Sequence, residues 1–271
     1  MIDPKNIIKN LPENEAQEYA DLQLSTQLKN MQKLVTGDFL NFVKYMWPEF
    51  IEGKHHRDIS QKFNDLSTGK INRLIVNMPP RHTKSEFASY FLPAWMIGKN
   101  PNLKIIQATH TADLAIDFGR KTKNLIDEER YHEMFATRLQ EDSQAAGKWK
   151  TEQGGEYFAA GVGGAITGRG ADLLIIDDPH KEQDLKGDGS AFDKAWNWYM
   201  SGPRQRLQPG GKIVLVMTRW STKDLTGRLI QEMANEDGDE WDIVELPAIL
   251  PNDKPVWPEY WDIKELLKTK A

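Results

Sequence analysis

The chain has 271 residues, a formal net charge of -5 and no cysteine, which leaves room for one large α/β core with terminal additions and excludes disulfides and thiolate metal sites. No apolar run approaches the ~20 residues of a membrane span, and the start MIDPKNIIKN lacks the charged-then-apolar order of a signal peptide, so an intracellular, soluble protein without membrane contact is expected. The negative balance excludes a surface coated in positive potential, so any nucleic-acid contact would be local or shared among subunits.

Residues 1–38 are polar, with Leu24, Leu28, Met31 and Val35 at roughly helical spacing, which predicts a helical arm ahead of the core. A second amphipathic helix is expected over 55–68, with Ile59, Phe63 and Leu66 on one face and Gly69 as its stop. Short β-branched runs follow at 73–78, 104–109, 157–161, 173–177, 212–217 and 242–246. Helical patterns lie between several of them, at 85–98, 111–129, 189–207 and 221–235. Strands alternating with helices predict an α/β fold with a mostly parallel central sheet covered on both faces. Pro93 is expected to kink or shorten the first of these helices by withholding a backbone N–H, and Ser221, with Asp224 three residues on, is expected to cap the last. The core domain is expected over 39–250, followed by a Pro- and Trp-rich linker over 251–271 that closes in a short polar helix.

The segment LIVNMPPRHTKSEF joins an apolar strand to a helix through a tight turn holding Lys84 and Ser85. A helix N-terminus offers unpaired N–H groups and partial positive charge; a lysine there reaches β- and γ-phosphates and the next hydroxyl binds magnesium. The glycine-rich regular expression fails, because Met78 and Thr83 stand where glycines would. Thr83 must then adopt a left-handed conformation or bend the loop differently. A solvated helix start explains Lys84 and Ser85 equally well by itself, but Arg81 in the same turn suits charge neutralisation on a triphosphate.

The run ADLLIIDDPHK places Asp177 and Asp178 at the end of a buried strand, where open α/β sheets bind ligands. Asp177 would hold magnesium and Asp178 would orient or deprotonate the attacking water; a helix N-cap at Asp-Pro is the plainer alternative. The stretch GVGGAITGRG implies tight turns or a mobile loop and carries Arg169. The strand KIVLVM ends in Thr218 and Arg219, in position to sense a γ-phosphate, although a strand-end cap and a surface ion pair would account for them too. His55 and His56, adjacent on a helix, are expected to diverge by about 100° and are not read as a metal site. Phe192, Trp196 and Tyr199 are spaced as a core face.

In this order and spacing, NMPPRHTKSEF, WKTEQGGEYFAAGVGGAITGRGADLLIIDDPHK, RLQPGGKIVLVMTRWSTKDLTGRL and VWPEYW resemble the large terminase subunits of tailed bacteriophages, from about Phe39 to the C-terminus. The resemblance implies a P-loop ATPase of the ASCE branch, with the acidic and coupling strands beside the P-loop strand, driving double-stranded DNA into the procapsid in the host cytoplasm. It implies ATP and Mg2+ as ligands. Pro80, Arg81, His82, Thr83, Lys84, Ser85 and Glu86 would bind ATP, with Lys84 and Ser85 in the Walker A loop, Arg81 as the catalytic arginine within it, and Ser85 and Asp177 on the metal. Asp178 would stand where many relatives carry a catalytic glutamate, and is one methylene shorter. Thr218 and Arg219 would form the coupling motif, Arg169 a trans-acting finger, and His56, Arg57 and Gln61 the region near the adenine. Implied partners are the portal protein, the small terminase subunit and further copies in a pentameric ring, with a monomer expected for the chain alone. Members also carry a C-terminal nuclease, for which this sequence has no room, so nuclease activity is not expected. A helicase-like ATPase would need a second lobe for which the chain is too short, and a non-catalytic nucleotide-binding module would fit the missing glycines.

Overall fold

The computed structural model describes residues 12–270 except Thr167, Glu236 and Asp237. Residues 1–11 of the expected arm lie outside that range. Helix α1 spans Glu13–Gly37. Of its predicted face only the C-terminal part packs: Val35 is buried and Met31 partly so, while Leu24 and Leu28 are exposed. Gln32 Nε2 ties this end to the Met134 carbonyl, at the end of α6 (Glu129–Met134), at 2.9 Å. Two shorter helices follow, α2 (Phe39–Met46) and α3 (Lys54–Ser67).

The sheet has eight strands. In chain order they are β1 (Arg73–Asn77), β2 (Lys104–Thr109), β3 (Leu139–Ala145), β4 (Lys148–Thr151), β5 (Glu156–Gly161), β6 (Ala171–Asp177), β7 (Leu207–Met217) and β8 (Asp242–Glu245). Their spatial order is β3-β4-β5-β2-β6-β7-β1-β8. All pairings from β5 to β8 are parallel, and β3 and β4 close one edge antiparallel. The sequence suggested neither of these two strands, because LQEDSQA has no apolar alternation. The acidic strand β6 is not beside β1: β7 lies between them, pairing Val76 with Val216 and, on its other side, Asp177 with the same Val216. The α/β fold with a mostly parallel central sheet is as expected, but of the two strands expected beside β1 only β7 adjoins it.

Successive residues of the central strands feed opposite layers, as the two-residue pleat requires. Leu74, Val76, Leu173, Ile175, Val214 and Val216 enter a core shared with α2, α3 and the helix after β1, around Phe39, Phe42, Phe63 and Trp95. Ile75, Leu174, Ile176, Ile213, Leu215 and Met217 enter the opposite core with α7 (Ser190–Ser201) and α8 (Leu225–Glu232). On α7 the buried ring is Trp198, beside Phe192 and Tyr199, while Trp196 is only partly covered. The expected 189–207 helix is shorter, because Gly202 and Pro203 end it and the chain enters β7 at Leu207.

The helix after β1 is irregular, for a reason visible in its sequence. Pro93 has no N–H for the Ser89 carbonyl four residues back. The chain widens into a π-helical stretch, Glu86–Phe91, with Leu92 N–H donating to Phe87 O, before α4 (Leu92–Lys99) begins. Thr122 of α5 (Ala112–Ile126) turns its hydroxyl to the Ser89 carbonyl at 3.5 Å. The 221–235 pattern also begins later than expected. Asp224, not Ser221, is the cap of α8, accepting Gly227 N–H at 2.8 Å.

Candidate functional site

The C-terminal ends of β1, β6 and β7 meet at one crevice, and backbone bonds fix their relation. Met78 N–H donates to Met217 O at 3.1 Å, and Asp178 N–H to Val216 O at 2.9 Å. Between Met78 and the helical turn at Lys84 the chain passes through Arg81 at φ 59° and Thr83 at φ 67°. Thr83 therefore takes the left-handed conformation itself where the sequence pattern lacks a glycine. Asp178 also has positive φ, 40°. Non-glycine residues held there cost on the order of 1–3 kcal/mol each and persist only where their surroundings over-determine them. Three of the four such residues among those described converge on this crevice; the other is Asp253 in a surface turn.

Asp177 is 2% exposed. Ser85 Oγ donates to its Oδ1 at 3.0 Å and Ser89 Oγ to its Oδ2 at 2.7 Å, with Gln107 Nε2 behind Ser89 at 2.9 Å. Burial, and then the neighbouring Asp178 charge, push the Asp177 carboxyl up to about 7, while the two hydroxyls and Lys84 pull it back. Asp178 is more open, at 28% side-chain exposure. Its Oδ2 meets Lys84 Nζ at 2.9 Å and its Oδ1 accepts Thr218 N–H at 2.8 Å. Thr218 Oγ1 in turn donates to Met78 O at 3.2 Å. Thr218, the first residue after β7, thus bonds the residues that directly follow β6 and β1. His110, at the end of β2, donates from Nδ1 to Asp178 O at 3.1 Å.

The loop's other side chains divide between interior and cleft. His82 is buried, donates from Nδ1 to Pro80 O at 2.8 Å and stacks on Trp261 at 5.8 Å. Burial, then the Lys84 charge, hold its imidazole below the usual range despite the Pro80 bond. Arg81 and Glu86 are exposed and line, with Thr83, a cleft of about 270 Å³ walled by Trp47, Ile51, Trp257 and Tyr260. Arg81 makes no ion pair among the described residues. His56 is fully buried and contacts Thr83 Oγ1 at 2.7 Å. The expected divergence of His55 and His56 does not occur: the rings lie 3.8 Å apart, because both side chains of this first helical turn fold toward Trp257.

Pro80, His82, Thr83, Lys84, Ser85, Asp177, Asp178 and Thr218 are therefore brought together, with Arg81 and Glu86 at the rim. Arg219 is turned away, pairing through Nε with the buried Asp224 at 3.1 Å. Gln61 bonds Asp65 on the solvent face of α3, and Arg57 pairs with Glu52 in solvent. Arg169 pairs with Glu156 and covers the Phe158 ring at 4.0 Å. It precedes β6, so the length of that strand, about 20 Å, separates it from Asp177 in the same chain. Sequence reasoning missed Ser89, Gln107, His110 and the Trp257 wall. Ser89 was within reach, since Ser85 and Ser89 have the i,i+4 spacing that puts two hydroxyls on one helix face.

No family model matches the chain, and no curated protein matches it. Among solved structures it is similar to the large terminase of the HK97 bacteriophage, at 13% identity and TM-score 0.49, covering 76% of this chain and 41% of that one. It is also similar to the large terminase of a thermophilic bacteriophage solved in complex with ADP, at 12% identity and TM-score 0.44, covering 78% of this chain and 50% of that one. The chain spans at most half the length of either of these proteins.

Proposed function

We propose that this chain is an ATP-hydrolysing motor domain of a phage terminase large subunit, moving double-stranded DNA into a procapsid in the host cytoplasm. The observation that carries the ATPase reading is the convergence of Lys84 and Ser85, at one helix start, on Asp178 and Asp177, at the end of one buried strand.

Phosphates would lie against the first N–H groups of the helix beginning at Lys84. Lys84 would exchange Asp178 for a γ-phosphate oxygen, which frees Asp178 Oδ2 while Thr218 N–H still holds Oδ1. A carboxylate so anchored, with one open oxygen, suits orienting a water for in-line attack and accepting its proton. The Ser85 hydroxyl and Asp177 carboxylate offer the hard oxygen donors that magnesium prefers, and the ion, when bound, neutralises phosphate charge. The aromatic walls of the adjacent cleft suit a purine, and Arg81 at its rim suits charge on the transferring phosphoryl group.

Arg169, at the opposite end of β6 from this crevice, would serve only the nucleotide of a neighbouring copy in a ring. A portal protein and a small terminase subunit are the partners this reading calls for. DNA grip would be phosphate-directed and fall with salt.

The motor reading is tested by phosphate release and third-strand displacement from a triplex on linear duplex. ATP-dependent displacement, lost in K84A, is expected; unchanged phosphate release on adding duplex, with intact triplex, would leave an ATPase that is not a DNA motor.

A further inference from the structure

Thr83 poses a physical problem that the loop chemistry does not explain. A β-branched residue at φ 67° is a genuine backbone outlier, and it sits immediately before the lysine of the loop. Its hydroxyl, however, belongs to a directed chain of hydrogen bonds. Gly53 N–H donates to His56 Nδ1 at 2.8 Å, so the ring proton is on Nε2. Nε2–H then donates to Thr83 Oγ1 at 2.7 Å, and Thr83 Oγ1–H donates to the His82 carbonyl at 2.6 Å. Each group in the chain has one possible role.

The ring that starts this chain is immobilised. Phe50 lies 4.7 Å from it, Phe87 5.0 Å and Trp257 4.9 Å, the last at 90°. Gly53 has no side chain for a packing reason: a Cβ there would come within 2.6 Å of the Trp257 ring. His56 has no exposed surface, so a base in the neighbouring cleft would touch Thr83 and not the imidazole.

We propose that His56 is a positioning residue that clamps Thr83 in the left-handed conformation, replacing by a hydrogen-bond relay the conformational freedom a glycine would supply at this loop position. It acts on the phosphate loop through Thr83, not by contact with nucleotide. The binding arm of the test rests on the nucleotide reading given above; the stability arm does not.

The test is a double-mutant cycle of H56A and T83G. With mant-ADP and Mg2+, H56A is expected to raise Kd about tenfold or more in the wild-type background and less than about threefold in the T83G background, because glycine no longer needs the clamp. H56Q, which keeps a donor near the Nε2 position, is expected to recover most of the loss. Without nucleotide, T83G is expected to raise the Tm of H56A but not that of wild type. Equal losses of affinity in both backgrounds, or equal Tm shifts on adding T83G, would overturn the clamp. A wild-type chain that binds no mant-ADP would refute the nucleotide reading, and the Tm cycle alone would then decide the clamp.

Discussion

Lys84 Nζ lies 2.9 Å from Asp178 Oδ2, so the cation proposed to meet a phosphate is held by the carboxylate proposed to orient a water. The two groups neutralise one another. Lys84 is 7% exposed, and a buried ammonium left without a partner is costly.

This pairing separates binding from turnover in D178N. The amide holds Lys84 less firmly, so Mg-ATP is expected to bind at least as tightly as in wild type. Loss of the general base is expected to lower kcat about 100-fold or more. A titration with fluorescent ATP and a phosphate-release assay measure the two; turnover within a few-fold of wild type would remove Asp178 from that role.

Thr218 joins two strands through different atoms, its N–H to Asp178 and its hydroxyl to Met78 O. T218V removes only the second bond. Stability is expected to fall by about 1 kcal/mol in urea unfolding, with kcat lowered more than KM is raised. A change in KM alone would show that the Met78 link serves ground-state binding.

Asp224 has no exposed side-chain surface and accepts from Trp220 N, Ser221 N and Gly227 N as well as Arg219. D224A leaves these donors unpaired and removes a helix cap, so a loss of about 3 kcal/mol is expected. Urea unfolding checks it, and a loss below about 1 kcal/mol would contradict the assignment.

Much of this was legible in sequence. The apolar runs that became β1, β2, β6 and β7 read as buried strands because both faces are covered, so each is nearly all apolar. That Lys84 would face Asp177 and Asp178 was legible because a lysine at a helix start and acids at the end of a neighbouring buried strand come to the same edge of an open α/β sheet. The β3–β4 edge was not legible, since its polar sequence pairs only because β5 offers a free edge. Neither was the His56–Thr83 contact: these residues are 27 positions apart, on elements whose juxtaposition only the packed core sets. Trp257, 204 positions from Gly53, fits against it for the same reason.

His56 gives the fold an acid-sensitive element. Burial first, and then His55 and His82, hold its imidazole down to about 2, against 6.5 in an unfolded chain. A folded-state pKa below the unfolded one contributes stability that is present above pH 6.5 and lost progressively as pH falls toward 2. Between pH 7.5 and 5 that loss is about 2 kcal/mol for such a buried group. Glutamine at this position keeps a donor and cannot titrate. On going from pH 7.5 to 5, the change in unfolding free energy is therefore expected to be about 2 kcal/mol more favourable in H56Q than in wild type. The comparison cancels Asp177, whose raised pKa works in the opposite sense. Identical pH dependence in the two proteins would contradict a buried, neutral His56.

The most direct test of the central claim is steady-state phosphate release from ATP by the purified chain, with and without Mg2+, beside K84A and D177A. Mg2+-dependent release by wild type, reduced to background by EDTA and by either substitution, is the expected result. Release that persists in both variants, or a wild type that binds ATP and never turns it over with or without duplex DNA, would contradict it.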